Sequence, residues 1–547
     1  MPRRRAIIAA IAICLLTSAS ASACGRSLSQ AESNQGEVSP TAGLVATTPA
    51  GSKPVPSVTW AVYRDVNSLD PAFAFDYPEN TAISLMCESL LLQQPSGAIV
   101  PGLASVSNPA PLTFVFTLKP GVTFWNGDPV TPADVVYSLD RQMSTQLGGF
   151  YTDVFTRVKG IAQTGPEQVT ITMNQPDYWL EGELASMGGI IIQQSFAKQQ
   201  GKNYGTPAGS IMCTGPYLLK SWTPSGGVVA VVNPHYWNTA IHPLVKQIVI
   251  KGVPDITDFT AGMLTGAIGG SYYFGVSTLD QLEASKEVKV YQGPGWSTDA
   301  LIISASSGPL TNVKVRQALS LALNRQSIIS TVYRGAATMP KWLANPGTFG
   351  FGTSVFDKAY AAAPTENQNL AQAKKLVQEA GAVGQTITIG TSNEISSTAI
   401  ETGAYQAAAE AIGLKVVLHS VSAQDFINFF TDPSFRKGID AFTTINYGDY
   451  ADPDSLMYTL AYPGGDQNYD NYANPQMTKL LNEAEGTANP DARAALTVQA
   501  EQLAAQQLPW IPTVQPTNIL FLNSALTGAT ASFAYMFAPW ADYLGGK

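Results

Sequence analysis

Charged side chains are scarce in this sequence, at 13% of 547 residues, and histidine and cysteine are scarcer still, with three and four. The formal net charge is −9, and the first 23 residues contain three arginines and no acid, so the remainder is more acidic than the whole. An acidic body argues against nucleic-acid binding and against electrostatic docking on anionic lipid. The apolar fraction of 45% and the chain length nevertheless suffice for several lobes that each bury a core.

Signatures of metal binding and hydrolysis are absent from the sequence. His235, His242 and His419 lie far apart, and no cysteine–histidine group has the spacing of a metal site. There is no G-x-S-x-G elbow, no H-E-x-x-H pair and no cysteine with a suitable histidine partner. We therefore expect no catalytic residue, no bound metal and no cofactor. A secreted hydrolase is the weaker alternative, which an assay of peptide hydrolysis would detect.

Long apolar runs are missing except at the N-terminus, so no later segment is predicted to span a membrane. Arginines at positions 3–5, an apolar stretch at 6–16 and small residues at 21–23 predict a signal peptide over residues 1–23. Cys24 follows at once, and the run ASAC resembles a bacterial lipobox, with alanine where leucine is usual. The resemblance implies that Cys24 is lipidated. Cleavage near this residue without a lipid is the alternative.

The segment after the predicted signal peptide has few large apolar residues. Residues 24–57 are rich in serine, glycine, proline, threonine and alanine, so we expect a disordered tether there, with order beginning at Val58. A flexible coil of this length spans on the order of 30 Å. Cys87 and Cys213 are the cysteines left in the mature body. In an oxidising compartment they could pair, or they could be two separately buried thiols.

The most informative stretch is residues 112–139. Apolar and polar residues alternate over 112–118, which predicts a strand, and a second short strand is predicted at 122–125 before the Asn126-Gly127 turn. The run TPAD at 131–134 then predicts a helix start. It offers a capping threonine, a proline in the first turn and an aspartate at the positive end of the helix dipole.

The residue pattern of this stretch closely resembles the signature of the bacterial extracellular solute-binding proteins of family 5. These are receptors of ABC importers of the peptide and nickel types. GAIVPGL at 97–103 and the N-P-x-Y-W turn that begins at Asn233 resemble other motifs of the family. The resemblance implies an α/β, two-lobed, periplasmic-binding-protein-like fold of type II. It also implies an extra subdomain and a ligand cleft between the lobes.

The same resemblance suggests how the chain is divided. The expected parts are lobe I at 58–295, an inserted subdomain at about 77–185, lobe II at 296–505 and a return to lobe I at 506–547. In the family, the segments that carry Cys87 and Cys213 lie in the core near the cleft, which favours a disulfide between them.

The candidate ligand site is the loop YGDYADP at 447–453, which follows a predicted strand at 442–446. In peptide-binding members of the family, an aspartate three residues before the (D/E)-P pair accepts the α-ammonium of the peptide. Asp449 has that position, and a carboxylate in a closed cleft suits a compact cation with three donors. The alternative is that Asp449 is a solvated acid on a loop and has no role in ligand binding. These receptors usually carry tryptophan at the position of Asn446. Asn446, Tyr447 and Gly448 are candidates for main-chain pairing with an extended ligand.

The resemblance therefore implies a lipoprotein on the outer face of the cell membrane that binds extended peptides, is not an enzyme and works as a monomer. Its expected partners are a peptide ligand, an ABC permease and, through the lipid anchor, the membrane. It is not expected to bind nucleic acid. Other cargoes within the same receptor class stay open: a nickel chelate, an oligosaccharide, an opine or haem.

Overall fold

In the computed structural model, the described residues are 43–272, 276–393 and 395–547. The predicted signal peptide and the predicted lipidation site Cys24 lie outside them. Within the described ranges, no helix combines the length and the apolar character that crossing a lipid bilayer requires.

The strands follow one another along the chain in this order. They are β1 (Val58–Val62), β2 (Leu91–Gln93), β3 (Ile99–Pro101), β4 (Ala104–Ala110), β5 (Thr113–Leu118), β6 (Val158–Gly165), β7 (Gln168–Met173), β8 (Tyr217–Thr223), β9 (Gly227–Val232), β10 (Gln247–Gly252), β11 (Gly270–Tyr272), β12 (Val288–Gly293), β13 (Ser297–Ile303), β14 (Ala337–Thr338), β15 (Thr386–Thr391), β16 (Lys415–Ser420), β17 (Ala441–Tyr447), β18 (Trp510–Pro516), β19 (Asn518–Asn523), β20 (Leu526–Thr527) and β21 (Gly545–Gly546).

The α-helices lie between and around these strands. They are α1 (Tyr77–Met86), α2 (Pro132–Gln142), α3 (Leu180–Glu183), α4 (Gln194–Gln200), α5 (Ile256–Thr265), α6 (Leu279–Glu283), α7 (Val313–Ala322), α8 (Arg325–Thr331), α9 (Thr353–Ala362), α10 (Leu370–Glu379), α11 (Ser396–Ala411), α12 (Ala423–Phe426), α13 (Asn428–Thr431), α14 (Pro453–Ala461), α15 (Pro475–Glu485) and α16 (Pro490–Gln507).

Two large mixed sheets organise the molecule. Sheet A has the strand order β12-β19-β11-β1-β10-β9-β8, and sheet B has the order β14-β18-β13-β17-β15-β16. A smaller antiparallel sheet, sheet C, has the order β4-β5-β7-β6 and is built from residues within the predicted subdomain. Helices pack on these sheets, so the fold is α/β with more than one layered core.

The chain passes between sheets A and B twice. The first passage joins β12 to β13 through residues 294–296, and the second joins β18 to β19 through Thr517. The predicted return at residue 506 is therefore too early. β18 is paired with β13 inside sheet B, where Ile511 lies opposite Leu301, so the chain leaves sheet B only after this strand.

The ribbon and helix read from residues 112–139 form as local chemistry dictates, with one exception. β5 buries every second residue, and Thr131 and Asp134 form a reciprocal capping box at the start of α2. The predicted second strand at 122–125 is wrong, since only one isolated bridge forms, between Thr123 and Pro129. The tight turn around Gly127, with φ +85°, leaves room for little more than that bridge.

The predicted disordered tether is wrong for residues 43–57. Val45 N donates to Gln292 O at 2.9 Å, and Lys53 forms a bridge with Gly546. Thr48 is buried and its hydroxyl donates to Ala529 O at 3.0 Å. This segment is ordered by backbone pairing with β12, with residues 244–246 and with the C-terminal residues. Composition cannot reveal such pairing because it needs no large apolar side chain.

Cys87 and Cys213 are joined by a disulfide, with their Cα atoms 4.9 Å apart. Cys87 lies directly after α1, and Cys213 precedes β8 of sheet A. At Gly215 the backbone passes so close that a Cβ would lie 2.4 Å from Met86 O, which explains the glycine of this turn. The disulfide and the turn together fasten the end of α1 to sheet A.

Aromatic side chains fill the cores behind both large sheets. Trp60 of β1 packs on Trp540 with ring centroids 4.3 Å apart, and Phe442 of β17 stacks on Phe429 at 5.1 Å. All four rings are buried. Because β17 is anchored in this way, the loop that follows it starts from a rigid support.

Candidate functional site

A cavity of about 140 Å³ opens where segments adjoining sheets A and C face the C-terminal end of β17. Both early and late parts of the chain contribute to it. The lining residues are Tyr63, Phe75, Asp76, Tyr77, Phe150, Tyr151, Asp153, Val154, Ile395, Phe426, Ile427, Phe430, Thr444, Ile445, Asn446, Tyr447, Asp449, Ser455, Thr459, Asp466, Gln467 and Tyr469.

β17 presents part of one edge to this cavity. On one side it pairs with β13 along its whole length, from Ile303 opposite Ala441 to Ser297 opposite Tyr447. On the other side it pairs with β15 only at Ala441 and Phe442. Among the described residues, no strand therefore covers the β15 side of residues 443–447, which we call the open edge of β17.

Asn446 and Tyr447 line the cavity, and hydrogen bonds to other lining residues hold both side chains in place. Asn446 Nδ2 donates to Gln467 Oε1, and its Oδ1 accepts from Tyr447 N at 3.0 Å. Tyr447 Oη donates to Phe75 O, and its ring packs edge-on against Tyr77 at 5.2 Å. These contacts connect the end of β17 to the start of α1.

Gly448 does not line the cavity, unlike the other three residues singled out in this loop. A Cβ at this position would lie 2.0 Å from Ser455 Oγ, so the loop packs closely on α14 and a larger residue would displace the Ser455 side chain. Its role is to let the chain turn between β17 and α14, beside the residues that face the cavity.

Asp449 lines the cavity and is partly buried. Its backbone oxygen accepts from Gln93 Nε2 at 2.6 Å, which fixes the loop, whereas its carboxylate has no hydrogen-bond partner in the described part of the chain. Loss of solvent raises the pKa of Asp449 to about 7. A carboxylate held in this way gains from any cation that enters the cavity.

Two further acids lie near Asp449, and we call Asp153, Asp449 and Asp466 the acid cluster. Asp153 is partly buried, and its Oδ2 atom is fully buried without a hydrogen bond in the described residues. Burial, then the charge of Asp466 and that of Asp449, raise the pKa of Asp153 to about 8. Asp466 is exposed at the cavity rim, and its pKa is also raised. Burial is the largest cause of all three shifts, and the nearby charges add to it at Asp153. The carboxyls of Asp153 and Asp466 also interact with each other.

Positive side chains are absent from the described lining of the cavity, which contains no lysine, arginine or histidine. One lining acid, Asp76, nevertheless has a partner behind the wall. It accepts from Arg64 at 2.5 Å and from Tyr63 Oη at 2.5 Å, and Arg64 also contacts Glu79 at 2.8 Å. Asp76 is thus neutralised by the protein, whereas the acid cluster is not.

The remaining wall is aromatic. Phe75 packs on Phe150 at 4.0 Å and lies 6.4 Å from Phe430, and Phe426 packs on Phe430 at 5.7 Å. Such a wall excludes water and strengthens electrostatic interactions in the space it encloses. The arrangement can therefore hold a cation at the acid cluster, an extended backbone at the open edge of β17 and apolar groups between the rings.

A larger cavity, of about 590 Å³, lies beside Glu88 and residues 47–50, and no residue of the 447–453 loop lines it. The carboxylate of Glu88 already accepts from Thr214, Tyr236 and Trp237, at 2.7 to 2.8 Å. Because these three donors of the protein satisfy the Glu88 carboxylate, its burial is explained by the fold, whereas the acid cluster has no comparable set of donors.

The sequence singled out Asp449 as a candidate but not Asp153 or Asp466, which line the same cavity. Both lie in irregular segments, after α2 and after α14, and neither belongs to a recognisable motif. Their separation of more than 300 positions left no local signal. Across the described residues, no group of three or more histidine, cysteine or acidic side chains could hold a metal ion.

Comparisons with known proteins give a consistent result. A family model described as "Bacterial extracellular solute-binding proteins, family 5 Middle" matches residues 98–468. The periplasmic murein peptide-binding protein MppA of Escherichia coli is 27% identical over 84% of this chain and 88% of its own. The heme-binding protein A of Haemophilus influenzae is 26% identical over 78% of this chain and 80% of its own.

A solved structure adds the fold. The ABC transporter-associated periplasmic binding protein DppA of Helicobacter pylori, in complex with the peptide STSA, superposes with a TM-score of 0.79. The alignment covers 90% of this chain and 98% of the other, at 20% sequence identity.

Proposed function

The chain belongs to the bacterial extracellular solute-binding proteins of family 5, and we propose that it binds short peptides by their free amino terminus and delivers them to an ABC importer. The family binds solutes, and the α/β fold of this chain is the two-lobed fold of its solved relatives. The cavity between the segments of sheets A and B is the ligand site in this proposal. Asp449 is the group that holds the ammonium.

The single observation that carries the proposal is the state of Asp449. It faces the cavity without a hydrogen-bonded partner in the described residues, and burial raises its pKa to about 7. An ammonium group offers both a compensating charge and three donors, so it restores what the carboxylate lost on leaving water. Truncation of one member of such a pair typically costs about 2–5 kcal/mol of binding free energy.

The open edge of β17 supplies a second element of recognition. A peptide laid along residues 443–447 would add a strand to sheet B beside β15 and satisfy main-chain groups on both sides. Such pairing is indifferent to side chains. It therefore supports a cargo that is recognised by its terminus and its backbone.

The charge of the cavity also separates peptides from other cargoes of the family. A porphyrin carries two propionates and an opine carries several carboxylates, and either would meet the acid cluster without a basic residue in the described lining. Like charges placed together in a poorly solvated site cost free energy. A cargo with a free amine and an extended backbone fits these walls best.

The remaining parts of the proposal concern delivery. The lobes close on the peptide by a hinge motion, and the closed form docks on a permease in the membrane. The N-terminal sequence supports export and lipidation at Cys24 on the outer face of the membrane, with the protein acting as a monomer. We infer no enzymatic step.

The proposal is tested with a pair of ligands that differ only at the amino terminus. Isothermal titration would compare the tripeptide Ala-Ala-Ala with its N-acetyl form, using protein from which co-purified molecules have been removed by unfolding and refolding. We expect the free amine to bind at least about 30-fold more tightly, which corresponds to about 2 kcal/mol. Equal binding of the two forms would overturn the assignment.

A substitution gives the matching protein-side test. Asp449→Ala should remove the preference for the free amine, while the exposed acid Asp491→Ala should leave it intact. Mass spectrometry of molecules that co-purify with the native protein gives the cargo class independently. A set of peptides agrees with the proposal, whereas a metal chelate or a sugar alone contradicts it.

A further inference from the structure

We propose that the preferred cargo carries a second positive charge, which Asp153 and Asp466 receive while Asp449 holds the terminal ammonium. The inference rests on the proposed function, because it takes the acid cluster to be part of the peptide site. It names the class of peptide: one with a lysine or arginine close to its amino terminus.

The charge balance of the cavity is the first argument. Three acids of the lining lack a basic partner in the described residues. In the empty cavity a bound proton offsets part of this charge, since the pKa of Asp153 is raised to about 8, and a cation from the ligand can replace that proton. Asp76 shows that the chain can neutralise a lining acid when structure requires it, since Arg64 lies 2.5 Å away. The acid cluster received no such arginine, so its excess negative charge is available to the ligand.

The second argument is the buried oxygen of Asp153. Its Oδ2 atom is shielded from solvent and has no hydrogen-bond donor in the described part of the chain. An unpartnered buried acceptor is costly, and most such atoms in folded proteins have a partner. The Asp153 carboxyl also interacts with the backbone and the carboxyl of Asp466, which is itself an acid. A cationic donor from the ligand can reach this carboxyl through the cavity that Asp153 lines.

The position of Asp466 completes the subsite. It is exposed at the rim, whereas Asp153 lies deeper, so a flexible side chain can reach from the backbone of the ligand to a charge between them. The stems of lysine and arginine are apolar and can lie on the aromatic wall formed by Phe75, Phe150 and Phe430. A small neutral side chain would leave both carboxylates uncompensated.

The experiment compares tetrapeptide amides that carry one lysine at position 1, 2 or 3 in an alanine background. Each has a counterpart with norleucine, which keeps the stem and removes the charge. We expect lysine to bind about tenfold more tightly than norleucine in at least one position, as buried charge pairs commonly produce. A ratio within about twofold at every position would overturn the inference.

Substitutions assign the effect to the subsite. Asp153→Asn and Asp466→Asn should each reduce the lysine-to-norleucine ratio and leave the affinity for the norleucine peptide nearly unchanged. Asp491→Asn, which removes the same charge from an exposed position on α16, is the control and should leave the ratio unchanged. A ratio that survives in both test variants would also overturn the inference.

The outcomes separate this inference from the proposed function. If the norleucine peptide binds and its N-acetyl form does not, the amine site stands, whatever the lysine peptides do. If neither form of the norleucine peptide binds but the lysine peptide does, only the second charge is recognised and the amine site is wrong. Circular dichroism of each variant verifies that it is folded.

Discussion

Two groups of acids lie in or behind the wall of the same cavity, and they differ in whether the chain supplies a cation. On the side of α1, Asp76 and Glu79 share Arg64, with distances of 2.5 and 2.8 Å. On the opposite side, the acid cluster has no basic residue in the described lining. Burial alone does not distinguish them, since acids in both groups are shielded from water. The partner distinguishes them: the first group stabilises the fold, and the second is available for a ligand.

Removal of Arg64 should have the largest effect, because it takes away the cation that distinguishes the first group of acids from the second. Arg64→Met should lower the free energy of unfolding by about 3 kcal/mol, because it leaves two shielded carboxylates without a cation. Urea denaturation at pH 7 measures the loss. Lys314→Met is the matched control, since the exposed pair of Lys314 and Glu379 should contribute less than about 1 kcal/mol. Equal losses in the two variants would show that Arg64 does not neutralise a buried group.

Ionisation of the acid cluster should instead make the affinity for peptide depend on pH. Because the pKa of Asp449 is about 7, protonation at lower pH removes the charge that holds the ammonium. Between pH 7 and pH 5 the affinity for Ala-Ala-Ala should fall about 50-fold if this one proton is coupled to binding. The peptide amine, with a pKa of about 8, stays charged over that range.

Isothermal titration at several pH values measures this slope. The pKa values of Asp153, Asp466 and Glu183 are also raised, so these acids take up protons as well, and a variant of Asp449 separates its contribution from theirs. Asp449→Asn should flatten the profile. An affinity that rises as the pH falls would contradict the assignment of a carboxylate to the amine site.

The smallest expected effect is a gain in stability of the empty protein. Asp153→Asn should raise its free energy of unfolding by about 1–2 kcal/mol at pH 8, because an uncompensated charge is removed from a shielded site. The sign follows from linkage. The pKa of Asp153 is about 8 in the fold and about 4 in the unfolded chain, so the folded state loses stability as the pH rises between these values.

Thermal unfolding at pH 5 and pH 8, in the absence of peptide, checks this expectation. The gain should be smaller at pH 5, where the native carboxyl is already protonated in the fold. A loss of stability at pH 8 would show that Asp153 has a structural partner, as Asp76 has.

Features set by neighbouring residues were predictable from the sequence. The capping box at Thr131 and Asp134 and the strand over Thr113–Leu118 depend on short-range hydrogen bonding and alternation, and both are present. The loop after β17 was also predictable, because Asp449 stands in a motif of known spacing. In each case the determining residues lie within a few positions of one another.

Features that depend on distant pairing were not predictable. Residues 43–57 are ordered by contacts with residues almost 500 positions away, such as Lys53 with Gly546. Asp153 and Asp466 meet only because the segments after α2 and α14 converge on one cavity. Composition and periodicity describe single segments, so they carry no information about which segments meet.

The open edge of β17 has a consequence for solubility. An uncovered strand edge on the outside of a protein recruits further strands and promotes self-association. Here residues 444–447 lie within a cavity with aromatic and acidic walls, which hinders neighbouring copies of the chain from lying flat against them. The enclosure that leaves room for a single extended chain at this edge should therefore also protect the empty protein from aggregation.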